Sequence, residues 1–313
     1  MQIKLAAGTN VGLVRNNNED NFVVNSNLEI QDWTVPQCNT SIELSKYGAL
    51  MVVADGMGGL NAGEVASRIA IETVQSYFSQ ESLDTILKNG THISDEAIED
   101  FLIGAIKSAD LNIINTSNND DSAKGMGTTI VIAWLIENKV HVAWCGDSRC
   151  YIFNGSSFRR ISKDHSYVQE LIDSGKLKPE YAIDHPCSNI ITRCLGDSNN
   201  RAKPDYTAQS IKNGDIILLC SDGLCGLCTD NDIMDIIEKY GSDMNECRDM
   251  LITAALNAGG YDNVTLTLCK ISNSNNDETN EQSTEESILG KTLDTSPHKN
   301  LLKRLFGRIN KDR

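Results

Sequence analysis

The chain has 313 residues, 40% of them hydrophobic, only 5 prolines and a formal net charge of −15, enough apolar material for one large core or two small ones. So acidic a surface repels a phosphate backbone and argues against nucleic-acid binding; it suits a cation binder or an ordinary solvated exterior. No run of about 18 apolar residues exists to span a bilayer, and the opening MQIKLAAGTNVG lacks the apolar stretch of a secretion signal, so a cytoplasmic protein is expected.

In chain order, short apolar or alternating runs predict strands at 21–25, 48–54, 129–136, 140–145, 215–220 and 263–269. Longer patterns with helical period predict helices near 62–79, 94–116, 165–175, 230–240 and 243–258. TTIVIAWLIENKVHVAWCGDSRCYIFNG, from Thr128, reads as a β-meander turning at ENK and around GDSR. An α+β fold follows, with antiparallel sheets flanked by helices rather than a doubly wound sheet. After Lys270 the composition turns polar and low in complexity, which divides the chain into a folded body (1–270), a linker (271–298) and a basic amphipathic segment (299–313). Acids and bases balance beyond Lys270, so the net charge resides in the body. In the last segment Leu301, Leu302, Leu305, Phe306 and Ile309 recur at helical spacing beside Lys303, Arg304 and Arg308. That pattern fits docking on a partner or membrane surface, or a short helix folded back on the body, which Gly307 weakens.

The ten cysteines sit in apolar runs such as IILLC and LTLCK, where reduced, buried thiols are expected. Cys225 and Cys228 form a CxxC with no second pair, read as structural. The Asn89 glycosylation acceptor has no meaning in a cytosolic chain.

The informative stretch is GALMVVADGMGGLNAGEVASRIA, residues 48–70, where an apolar strand meets Asp55 and then glycines. Asp-Gly often turns a hairpin, but a helical pattern follows instead of a partner strand. GMGGLN imitates a dinucleotide loop, yet Asn61 stands where the third glycine belongs. The same grammar recurs in VAWCGDS at Asp147 and ILLCSDG at Asp222, while Asp262, Glu19 and Asp20 stand just before strands. In antiparallel sheets strand ends and strand starts share an edge, so these acids can converge. Converging carboxylates repel unless a cation neutralises them, and hard oxygens suit Mg²⁺ or Mn²⁺. Glycine beside the acid lets the backbone, including the Gly56 carbonyl, approach an ion.

GLVRNNNEDN, VVADGMGG, GMGTTIV, AWCGDSRCYIF, DHSYVQELIDSGKL, NIITRCLG, LLCSDGLCG and YDNVTLTL occur in this order over residues 5–270. Together they resemble the metal-dependent type 2C serine/threonine protein phosphatases in their compact bacterial form. The resemblance implies an αββα sandwich with a binuclear Mn²⁺ or Mg²⁺ site at one edge. By motif position, Asp55 would bridge both ions, with Glu19 and the Gly56 carbonyl on one and Asp222 and Asp262 on the other; Asp147 with Asp222 would hold a third, weaker ion. Asp20 would orient metal-bound water, and Arg15, four residues before Glu19, would grip the substrate phosphate, for which guanidinium geometry suits. A hydroxide bridging the ions would attack phosphorus in line, without a covalent phosphoenzyme. Met57 stands where animal relatives often carry a histidine, leaving leaving-group protonation unassigned. His165 in KDHSY is the nearest candidate by motif, although a structural role suits it better; His92, His141, His185 and His298 have no motif support.

Residues 165–195 resemble a mobile flap beside the active site, from which Arg193 is a weaker substrate-contact candidate. The expected partners are phosphoproteins made by a cytosolic Ser/Thr kinase, met by a monomer. The competing reading is an inactive pseudophosphatase serving as a binding module. A two-metal nuclease is disfavoured by the acidic body.

Overall fold

The apolar run at 49–54 is unbroken because both of its faces are covered: Leu50, Val52 and Ala54 point into one core and Ala49, Met51 and Val53 into another. The computed structural model describes residues 1–36, 39–58, 62–87, 93–182 and 185–272. The linker beyond Ser272, the 299–313 segment, Asn61, Asn89, His92 and His298 lie outside the described residues. The chain runs β1 (Gln2–Asn10), β2 (Asp20–Asn25), β3 (Ile42–Glu43), β4 (Ala49–Met57), α1 (Ala62–Tyr77), α2 (Gln80–Leu87), α3 (Asp95–Asn119), β5 (Gly127–Thr128), β6 (Ile130–Ile136) and β7 (Lys139–Cys145). It continues through β8 (Arg149–Phe153), β9 (Phe158–Arg160), α4 (Tyr167–Asp173), β10 (Asp205–Ser210), β11 (Ile216–Cys220), α5 (Asp222–Cys225), α6 (Asp230–Tyr240), α7 (Met244–Asn257) and β12 (Val264–Ser272).

The strands form two antiparallel sheets, one in the order β3-β1-β12-β11-β8-β9 and the other β10-β7-β6-β4-β2, with β5 paired to β4. Their inner faces meet in a seam of residues such as Leu5, Met51, Val53, Val131, Ala133, Ile217 and Leu219. Helices α1, α2 and α3 cover the outside of the second sheet, where Phe78, Phe101 and Trp134 pack edge to face. Helices α5, α6 and α7 cover the first. Four layers result, helix, sheet, sheet, helix, as the family resemblance implied.

Three expectations need correction. The strand at 48–54 runs on to Met57, because Gly56 and Met57 pair with Thr128 and Gly127. The meander is two elements in different sheets: β6 and β7 form a hairpin, but β8 pairs with β11 and β9 in the opposite sheet. Gly146, at φ +125°, turns the chain across the seam there, which places Asp147 at the crossing. Strands β1, β3, β5, β9 and β10 and helices α2 and α5 had no predicted counterpart, and β12 extends to Ser272, two residues past the expected end of the body.

Nine described cysteines are free and seven of those are buried, including Cys225 and Cys228, which pack under α6. No described helix is long and apolar enough to cross a membrane.

Candidate metal centre

Along most of the seam the inward positions are apolar; at one end the same alternation delivers polar groups. Asp55 follows Met51 and Val53 on β4, Asp20 precedes Phe22 and Val24 on β2, Ser221 follows Ile217 and Leu219, and Thr129 precedes Val131 and Ala133. Asp20 and Asp55 lie directly opposite each other in the β2–β4 register, where inward side chains stand about 5 Å apart. Asp147 enters from the sheet crossing, Asp222 from the first turn of α5 and Asp262 from the residues before β12.

Hydroxyls hold this end of the seam. Ser221 Oγ donates to Asp20 Oδ2 at 2.8 Å, and Thr265 also hydrogen-bonds that carboxyl. The Asp55 backbone is fixed on both sides: its N–H donates to Thr129 Oγ1 at 3.1 Å, and its carbonyl accepts from Thr129 N–H and Thr128 Oγ1, each at 2.8 Å. Beneath the acids, Gly56 donates its N–H to the Glu19 carbonyl and lies against Gly63 of α1.

The electrostatics are those of buried and half-buried acids facing one another. Burial raises Asp55 well above the carboxylate range, with Asp20, Asp222, Asp147 and Asp262 adding repulsion. Asp20 and Asp147 rise for the same first reason, each with Asp222 the leading repulsive neighbour. Burial raises Asp222 too, with Asp262 beside it and a hydrogen bond from Asp55 opposing the shift. Glu19 is raised mainly by burial and, among charges, faces Arg15, Asp262 and Glu64; Glu64, at the start of α1, was not singled out in the sequence. One Asp147 oxygen, Oδ1, is buried without a hydrogen-bond partner. Arg15 reaches the cluster and donates from Nη2 to Asp262 Oδ2 at 2.7 Å, which raises its own pKa. Among the described residues no three His, Cys, Asp or Glu side chains already have the spacing of a metal cage.

The loop carrying Arg15 and Glu19 is pinned by Asn263, a residue the sequence reading passed over. Its Oδ1 accepts from Glu19 N–H at 2.8 Å and its Nδ2 donates to the Val11 and Asn17 carbonyls, both at 2.9 Å. An asparagine before an apolar strand, beside an acid, was the available signal. His165 is structural: its Nδ1 accepts from Gly146 N–H at 3.1 Å, so the neutral ring turns its Nε2 proton to Asp205 at 3.2 Å. Arg193 is likewise engaged with Asp205 at 2.9 Å.

A cavity of about 480 Å³ opens beside Asp147 and Asp222, walled by Arg149, Asp164, Gln169 and Asp230. The 165–195 segment forms one side of it, closed at its base by Tyr167 N–H to the Ile190 carbonyl and Thr192 N–H to the His165 carbonyl.

Helix-flanked paired sheets with an acid cluster at one end of the seam define the class of the PPM-type phosphatases, and the chain belongs to the protein phosphatase 2C family, whose profile matches residues 26–258. It is 33% identical over 260 residues to the serine/threonine phosphatase stp of Listeria welshimeri, covering 83% of this chain and 92% of that one. Among solved structures it is similar to serine/threonine phosphatase Stp1 from Staphylococcus aureus, with a TM-score of 0.72 at 32% identity over 87% of this chain and 96% of that one. It is also similar to the catalytic domain of the phosphatase PstP in complex with two manganese ions, with a TM-score of 0.67 at 29% identity over 87% and 99%. The protein is a serine/threonine protein phosphatase, and its substrates are phosphoproteins.

Proposed function

We propose that this phosphatase hydrolyses phosphoserine and phosphothreonine in proteins modified by a cytosolic kinase, using Mn²⁺ or Mg²⁺ held by Asp55, Glu19, the Gly56 carbonyl, Asp222 and Asp262, with a weaker ion at Asp147 and Asp222. The observation that carries this reading is the convergence of four aspartates, Asp20, Asp55, Asp147 and Asp222, whose burial and mutual repulsion raise their proton affinity, beside a buried Asp147 oxygen that no protein group satisfies. Hard oxygen donors in that state fit divalent cations. When bound, the ions neutralise the cluster and activate the water that attacks phosphorus. The chain's own groups do the rest. Asp20, held by Ser221 and Thr265, orients water at the floor of the site. Arg15 leaves Asp262 to take two phosphate oxygens, a geometry that only a guanidinium offers.

The test is hydrolysis of phenyl phosphate and a phosphothreonine peptide with Mn²⁺, Mg²⁺ or chelator. Turnover is expected only with metal, and Asp222→Ala is expected to lose about 10²–10³-fold. A folded protein silent with every metal would overturn the reading and leave a binding module. Arg15→Lys keeps the charge but loses the fork, and is expected to lower kcat/KM about tenfold; an unchanged value would remove Arg15 from phosphate binding.

A further inference from the structure

Among the described residues, Leu13, Val14 and Tyr261 are large apolar side chains left 68%, 59% and 63% exposed. They stand on two loops that meet at the acid centre. Leu13 N–H donates to the Gly260 carbonyl at 2.7 Å, and Arg15 on the first loop grips Asp262 on the second. Leu13 lies across the backbone of the second loop, where a Cβ added at Gly260 would come 2.9 Å from its Cγ, and the Tyr261 ring folds back over its own loop, where a Cβ added at Gly259 would come 2.5 Å from it. Asn263 ties Val11, at 37% exposure, into the same platform. An apolar patch held this firmly at the rim of a polar site points to a ligand.

We propose that Leu13, Val14 and Tyr261 form a docking surface for an apolar side chain flanking the phosphorylated residue of the substrate, so that the enzyme prefers phosphopeptides with leucine or a similar residue next to phosphothreonine. This rests on the phosphatase reading of the acid centre. Once a phosphate reaches Arg15, the substrate residues flanking the phosphorylated one, whose Cα atoms are 3.8 Å apart, come within reach of the residues beside Arg15 and Asp262. Those residues include the exposed Leu13, Val14 and Tyr261. A body carrying the whole net charge of −15 repels acidic flanks and attracts basic ones, and the gain from contact with the three apolar side chains falls to an apolar flank alone.

The experiment compares two phosphothreonine peptides, identical except for leucine or glycine on either side of the phosphothreonine, with wild type and with the Leu13→Ser/Tyr261→Ser double variant. Wild type is expected to favour the leucine peptide about five- to tenfold in kcat/KM, chiefly through KM, and the variant to show a ratio near one. The ratio is internal, so a general loss of activity in the variant cancels. A flat ratio in wild type, or a ratio the variant keeps, overturns the docking surface while phenyl phosphate turnover leaves the phosphatase reading standing. Absence of turnover on every substrate overturns that reading instead. Wild-type self-association abolished in the variant, with the peptide ratio unchanged, would assign the face to a second copy of the chain and overturn the proposal.

Discussion

Asp55→Asn is expected to lower metal-dependent turnover about 10³-fold while raising the melting temperature of the chelated protein by about 3–6 °C. Both effects have one source. Asp55 faces Asp20, Asp222, Asp147 and Asp262 from a half-buried position, so without cations the fold holds either a repelling charge or a proton it would not otherwise carry. Asparagine has the same shape and no charge. The backbone bonds to Thr128 and Thr129 that fix the end of β4 are untouched by the change. With Mn²⁺ the order should reverse, because wild type gains ligand-linked stability that the variant largely lacks. Melting curves in chelator and in Mn²⁺, beside peptide turnover, check all three statements. Turnover within tenfold of wild type would remove Asp55 from the site; a lower melting temperature in chelator would mean that its hydrogen bond with Asp222 outweighs the repulsion.

Gly56→Ala is expected to destabilise the protein by about 3 kcal/mol and to cost about 10²-fold in turnover. A Cβ there would meet the Gly63 carbonyl oxygen at 2.2 Å and the Glu19 carbonyl oxygen at 2.4 Å. Both are backbone atoms, one in α1 and one in the loop carrying the candidate ligands, so relief requires moving an element rather than rotating a side chain. The backbone at Gly56 is not left-handed, which makes the cost one of space alone. Gly125→Ala is the contrast, since nothing lies within 4 Å of its Cβ but φ is +73°; about 1 kcal/mol is expected there. Melting temperature and kcat for the two variants separate the effects. A Gly56→Ala protein as stable as wild type would show that β4 and α1 are not pressed together at this point.

The acids were legible in the sequence because a carboxylate beside glycine, next to an apolar run, is a costly pattern that recurs at Asp55, Asp147 and Asp222. What escaped was the material that holds them. Thr129, Ser221, Thr265 and Asn263 are buried polar residues, and small hydroxyls inside or beside a strand look alike in sequence whether they face a core, a neighbour or a carboxylate. The crossing at Gly146 was hidden for a related reason: a turn between two strands says little about which sheet receives the second. Strand β1 went unread because Ala6, Ala7 and Gly8 dilute its alternation, and β10 because it is a polar edge strand paired only with β7. The exposed apolar residues of the 11–14 loop had a pattern but no meaning until the fold set Tyr261 beside them.

Strand β12 lies between β1 and β11, and its register joins Gln2 to Ser272. During synthesis, therefore, a central strand of the first sheet is the last of the described strands to leave the ribosome, and Asp262 and Asn263 emerge only just before it. Until then β1 and β11 each present an unpaired edge, and the Arg15 loop lacks the side chain that pins it. Closing a contact between positions this far apart is slow. The nascent chain is thus expected to lack phosphatase activity until nearly all of its folded body has been translated.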